Sequence, residues 1–135
     1  MNRSMLAAVV AMILSAACGS DTPTTPTDPN TPTAVTNTFS GTLNRNGAAN
    51  HAFSVSAAGT VSATVSSLSD SAAVLGLSLG VWNGTACAVQ LDNAQATTGS
   101  ILYGSATGIG DLCVRVYDVG RINDTLDYEL SVTHY

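Results

Sequence analysis

The stretch TVSATVS (Thr60–Ser66) decides the fold class of this 135-residue chain. Its apolar and hydroxyl side chains alternate one by one, which is the period of a β-strand with one face buried and the other in water. The same alternation appears in His51–Ser56, Val74–Trp82, Leu112–Tyr117 and Tyr128–His134. These five stretches predict strands whose apolar sides face a common core.

Three shorter strand candidates lie between them, at Phe39–Leu43, Cys87–Leu91 and Ile101–Ser105. Glycine-containing turn signals such as Asn46-Gly47 and Asn83-Gly84 separate most of the strands. No window shows the periodicity of an amphipathic helix. About eight short strands in roughly 100 residues predict an all-β domain over residues 37–135, an antiparallel β-sandwich of jelly-roll type.

The amino-terminal segment 1–17 has the features of a secretory signal peptide. Arg3 is followed by an apolar run, Met5–Leu14, and then by small residues. The run is too short to span a bilayer, which needs about 20 apolar residues. The sequence therefore predicts export.

The residues Leu14-Ser15-Ala16-Ala17-Cys18 resemble the lipobox of bacterial lipoproteins. The resemblance implies that Cys18 becomes the lipidated first residue of the mature chain. The family usually has leucine three places before the cysteine, where this chain has Ser15. Cleavage by an ordinary signal peptidase before Cys18, followed by plain secretion, is the alternative.

The cysteine count fits lipidation of Cys18. The chain has three cysteines, and an odd cysteine in an exported protein needs an explanation. If Cys18 carries lipid, Cys87 and Cys113 remain as a pair, and the compartments outside the cytoplasm are oxidising enough to join them. We therefore expect a Cys87–Cys113 disulfide.

Residues 18–36 are predicted to form a linker. All four prolines of the chain lie here, among threonines and with little apolar bulk. Such a segment buries too little surface to offset the entropy of ordering, and its prolines favour an extended chain of about 3.1 Å per residue. We expect a disordered spacer between anchor and domain.

The domain resembles the bacterial pre-peptidase C-terminal domain. The resemblance is carried by Phe39–Leu43 (FSGTL), His51–Val55 (HAFSV), Gly59–Val61, Gly110–Tyr117 and Tyr128–Val132. This chain has Leu112 where the family usually has an aromatic residue, and the Cys87/Cys113 pair is an addition. The resemblance implies a β-sandwich that is a non-catalytic appendage of a secreted enzyme or a separate surface domain, with no fixed ligand.

One motif raises the possibility of a serine hydrolase. Gly76-Leu77-Ser78-Leu79-Gly80 matches the G-x-S-x-G nucleophile elbow, and His134 follows downstream. The elbow requires a strand–turn–helix context, whereas Ser78 lies within a continuous alternation of apolar and small residues that predicts a strand. His51 and His134 fall on inward positions at strand ends and are expected to be partly exposed. The sequence predicts a protein without catalysis.

Two groups of residues are candidates for ligand binding. Trp82, the only tryptophan, and Tyr117 fall on outward positions and would stack on sugar rings. Alternatively, Trp82 folds over the sheet edge or covers the disulfide. Asp118, Asn123, Asp124 and Asp127 are oxygen donors of the kind calcium prefers, but their spacing is not that of an EF-hand, and a solvated turn is the preferred interpretation.

Composition excludes some classes of function. The chain has no lysine, four arginines and nine carboxylates, so no basic surface is available for nucleic acid. No dinucleotide- or phosphate-binding motif is present, and we expect no cofactor. The sequence as a whole predicts a lipid-anchored binding or structural module in the bacterial cell envelope, at the outer membrane or cell surface. Its expected partners are the membrane, through the lipid, and either a carbohydrate or an envelope protein.

Overall fold

The computed structural model of the chain describes residues 28–135. The predicted signal peptide, Cys18 and most of the predicted linker lie outside these residues. The described part contains eight β-strands and no helix. The strands are β1 (Val35–Asn44), β2 (Ala48–Val55), β3 (Gly59–Leu68), β4 (Leu75–Trp82), β5 (Cys87–Ala96), β6 (Ile101–Ala106), β7 (Gly110–Tyr117) and β8 (Thr125–His134).

The strands form two four-stranded antiparallel sheets that pack face to face. One sheet has the order β1-β8-β3-β6, and the other has the order β2-β7-β4-β5. The chain passes from one sheet to the other at every connection except the one between β4 and β5, and these two strands pair as a hairpin. This order is that of an eight-stranded jelly roll. The predicted fold class is therefore confirmed, and β1 begins at Val35, two residues before the predicted boundary.

The core lies between the two sheets and is built from the inward members of the alternating stretches. Val61, Val65 and Leu130 in one sheet face Leu77 and Val116 in the other, and all five are essentially inaccessible to water. Among the described residues, the two phenylalanines and Tyr128 contribute the aromatic part of this interior. Leucine, valine and alanine therefore supply most of the packing.

The edge strand β5 curls over the outer face of β4. Cys87 in β5 and Cys113 in β7 lie on opposite sides of β4, and strands two apart are separated by about 9.5 Å in a regular sheet. Their Cα atoms are only 5.7 Å apart, and their sulfur atoms are bonded. A β-bulge between Leu79 and Gly80 changes the register, and the backbone of Ala88 and Val89 closes over Gly80.

The alternating pattern implies that outward side chains lie in water, and this is wrong for part of the β2-β7-β4-β5 sheet. Ser78 lies on the outward side of β4 but is only 1 % exposed, and outward Cys113 is fully buried. The physical reason is that the start of β5 covers Cys113, while the side chains of Asp92 and Tyr117 cover Ser78 and Gly76. Period-two alternation assigns a side chain to a face, but it does not show what covers that face.

In the described residues, nothing helical has the length and apolar character needed to cross a membrane.

Candidate functional site

A hydrogen-bonded network on the outer face ties Ser78 to two neighbouring strands. The Ser78 hydroxyl donates to Asp92 Oδ1 at 2.7 Å, and the Tyr117 hydroxyl donates to the same carboxylate at 2.9–3.0 Å. The Arg115 guanidinium lies over the Tyr117 ring, 5.4 Å from its centroid. Burial and the hydrogen bond to Asp92 raise the pKa of the Tyr117 hydroxyl. Ser78 therefore links β4 to β5 rather than standing exposed on a sharp turn.

The structure does not bring Ser78 and His134 together. His134 lies in β8 of the other sheet and points into the interior, where its ring packs 5.1 Å from that of Phe53. Its Nε2 is 2.7 Å from Asn37 Oδ1. A serine nucleophile needs a base within hydrogen-bonding reach, and Ser78 has Asp92 as its partner instead.

The sequence predicted partly exposed histidines at the rim of the sandwich, which agrees with His51 but is wrong for His134. His134 is only 4 % exposed, which corrects that expectation. His51 is half-buried, stacks on Phe39 at 4.9 Å, and has its Nε2 2.8 Å from the Tyr128 hydroxyl. Burial lowers the pKa of His51, because a charged imidazolium is poorly solvated there. Both residues have the surroundings of structural histidines.

The four candidate calcium ligands do not converge. Asp118 Oδ1 accepts the backbone N–H groups of Gly120, Arg121 and Ile122, and its Oδ2 accepts that of Asn46. Desolvation acts to raise the pKa of the Asp118 carboxyl, but these four hydrogen bonds outweigh it and hold the pKa below its usual range. Asp118 therefore fixes the loop that follows β7.

The other oxygen donors of that loop have different surroundings. Asp127 accepts the Thr42 hydroxyl at 2.6 Å, whereas Asn123 and Asp124 line a separate shallow cleft beside Asp70. Among residues 28–135, no three histidine, cysteine, aspartate or glutamate side chains are gathered closely enough to hold a metal ion.

Trp82 and Tyr117 lie at opposite ends of the outer face. Tyr117 pairs with Gly76 at the start of β4, and Trp82 ends the same strand. Six residues of strand correspond to about 20 Å, so the two rings do not form one stacking surface. Tyr117 is also held flat over Gly76 by its bond to Asp92.

A cleft of about 330 Å³ opens at the Trp82 end of the sandwich, where the loop Thr107–Ile109 passes beside β4. It is lined by Trp82, Val81, Ser105, Thr107, Ile109 and Asp111, among others. The register that pairs Val81 with Leu112 places Trp82 beside Asp111 one step further along. Sequence reasoning selected Trp82 but missed Ile109 and Asp111. An apolar residue between two turn glycines, Gly108 and Gly110, was the available signal.

No family model matches the chain, and a search of curated proteins returns no match.

Proposed function

We propose that the protein is an exported lipoprotein of the bacterial cell envelope, in which a non-catalytic jelly-roll domain serves as a binding or structural module joined to the lipid anchor by a linker. The observation that carries this proposal is the bond between Cys87 and Cys113. It accounts for two of the three cysteines and suits an oxidising compartment. Cys18, directly after the signal-like segment, is then available for lipid.

The acidic character of the chain gives the lipid a specific role. Removal of segment 1–17 removes Arg3 and leaves nine carboxylates against three arginines. A chain with this negative charge is weakly repelled by anionic lipid headgroups. It also lacks the polybasic patch that attracts some soluble domains to such headgroups. Residence at the membrane would then depend on covalent acyl chains.

Mass spectrometry of the mature chain tests the anchor. We expect the chain to begin at Cys18 and to carry a diacylglyceryl group and an amide-linked acyl chain, and to sediment with membranes. The Cys18→Ala variant should lose both the added mass and the membrane association. The Cys87→Ala/Cys113→Ala variant is the matched control and should keep both, since it removes cysteines that are not at the cleavage site. A mature chain with unmodified Cys18 would support plain secretion instead.

The proposed absence of catalysis rests on the side chains around Ser78. Its hydroxyl is buried and donates to Asp92, and no imidazole is within reach of it. A screen against ester and peptide substrates should find no turnover above background. Hydrolysis that disappears in the Ser78→Ala variant, with its fold intact by circular dichroism, would contradict this part of the proposal.

A further inference from the structure

The cleft at the Trp82 end combines an aromatic face with a single carboxylate. Trp82 is half-buried and sits between Cys87, its partner in β5, and Asp111 at the start of β7. Asp111 Oδ1 accepts the Ser54 hydroxyl at 2.6 Å, which holds the carboxylate in place and leaves its other oxygen available. Asp111 is the only charged residue among those that line the cleft.

Ile109 also lines this cleft and is the most exposed large apolar side chain of the described residues, at 85 %. Gly108 and Gly110 flank it and have no side chains that could cover it. Together with the half-buried Trp82, Ile109 gives this cleft apolar surface that a ligand can contact.

We propose that this cleft binds the terminal units of a neutral polysaccharide, with one sugar ring stacked on Trp82. A pyranose ring presents an apolar C–H face and a rim of hydroxyl groups. Trp82 and Ile109 match the apolar face, while Asp111 and the hydroxyls of Ser105 and Thr107 match the rim. The proposal deepens, and rests on, the proposed function as a binding module.

Size and charge define the ligand class further. A cleft of about 330 Å³ lies at the lower end of the range of about 300–1,000 Å³ typical of small-molecule sites, so it takes chain ends or short segments. The Asp111 carboxylate and the excess of acidic residues disfavour anionic polymers. Neutral hexose or N-acetylhexosamine chains satisfy both conditions.

Tyr117 is not part of this site. It lies about 20 Å along the strand from Trp82, and its hydroxyl is already bonded to Asp92. Its substitution therefore should not change sugar binding, which distinguishes this proposal from a platform built on both aromatic residues.

Tryptophan fluorescence tests the proposal directly, because Trp82 is the only tryptophan of the chain. The mature protein in detergent is titrated with cellohexaose, maltohexaose and the hexamer of N-acetylglucosamine, with polygalacturonate as the anionic comparison. We expect at least one neutral oligosaccharide to shift the emission and polygalacturonate not to do so. Trp82→Ala and Ile109→Ser should each weaken binding, Trp82→Ala by about tenfold or more as measured by calorimetry.

Tyr103→Ala is the matched control, because Tyr103 is a 63 % exposed aromatic residue on β6 outside the cleft. It should bind as the unsubstituted protein does, and circular dichroism confirms that each variant is folded. The proposal is overturned if no neutral oligosaccharide binds, if Trp82→Ala binds normally, or if phosphatidylcholine vesicles and not sugars shift the emission. The acyl mass at Cys18 is measured on the same sample, so failure of the anchor and failure of the sugar site are separate results.

Discussion

The contact between Gly76 and Tyr117 makes a sharp prediction about what holds the outer face together. The Tyr117 ring lies directly against Gly76, so that a Cβ placed there would overlap three atoms of the ring. We predict that Gly76→Ala destabilises the domain although Gly76 has no positive φ and alanine favours a β-strand more than glycine does.

The size of the expected destabilisation follows from the interactions that the Tyr117 ring loses when it moves. Tyr117 is partly exposed, so its ring can swing away from the new methyl group, but it then loses its hydrogen bond to Asp92 and its stacking with Arg115. A hydrogen bond to a charged group at a partly exposed site, together with local overpacking, corresponds to a loss of about 1–2 kcal/mol. For a domain of this size, that loss lowers the unfolding temperature by roughly 4–9 °C.

Urea and thermal unfolding measure this loss, and a double-mutant cycle assigns its cause. Gly108→Ala is the matched control, since a methyl group there meets nothing, and it should change stability by less than about 0.5 kcal/mol. In the Tyr117→Ala background, Gly76→Ala should be close to neutral, which gives a coupling energy of about 1 kcal/mol or more. Additive effects, or a Gly76→Ala protein as stable as the parent, would refute the reasoning.

Three other predictions concern the disulfide and two ionisable groups. Because the bond between Cys87 and Cys113 closes a loop of 26 residues, the double alanine variant should lose roughly 3.5 kcal/mol in urea unfolding, and unchanged stability would argue against the bond. Since burial lowers the pKa of His51, the stability that this residue contributes is present above pH of about 6.5 and is lost as the pH falls through its folded pKa; an NMR titration midpoint at or above the usual value would contradict this. Asp118→Ala should speed amide exchange at residues 120–122, because the Asp118 carboxylate accepts hydrogen bonds from their N–H groups. The stability that the Asp118 carboxylate contributes is present above pH of about 3.8 and should be lost as the pH falls through its lowered pKa. Exchange rates equal to those of the parent would show that the loop is ordered without Asp118.

The fold was accessible from sequence because most strands bury one face and not the other. In β8, and in β3 from Val61 to Val65, every second residue faces the core, so the period-two pattern identified both the strands and their inward sides. Turn glycines such as Gly84 and Gly99, which adopt positive φ, marked the ends. The jelly-roll type was inferred from the number of strands and the size of the domain, whereas the strand order within each sheet came from the structure.

The burial of part of the outer face could not be predicted from sequence, because the residues that cover it belong to other strands. Ser78, Gly76 and Gly80 have the small or polar character of solvated positions, yet the structure covers them with side chains and backbone from other strands. The cover of Gly80 lies at a β-bulge in β5, whose sequence shows no regular alternation, and the cover of Ser78 and Gly76 comes from the side chains of Asp92 and Tyr117. A tertiary contact of this kind leaves no local periodic signal. The sequence identified Trp82 as an outward aromatic residue. It could not identify Asp111 and Ile109 as lining the same cleft, because their positions depend on the register between β4 and β7 and on the course of a loop.

The topology relates the proposed sugar site to the tether. Val35, the first residue of β1, pairs with His134 at the end of β8, and the backbone of Tyr135 accepts the N–H group of Ser56, which follows β2. Trp82 and the loop Thr107–Ile109 lie at this same end, since β4 ends and β7 begins there. The predicted linker therefore enters the domain at the end that carries the cleft. If Cys18 carries lipid as we propose, a site in that position would face the space between the domain and the membrane, and an envelope polysaccharide would be the ligand best placed to reach it.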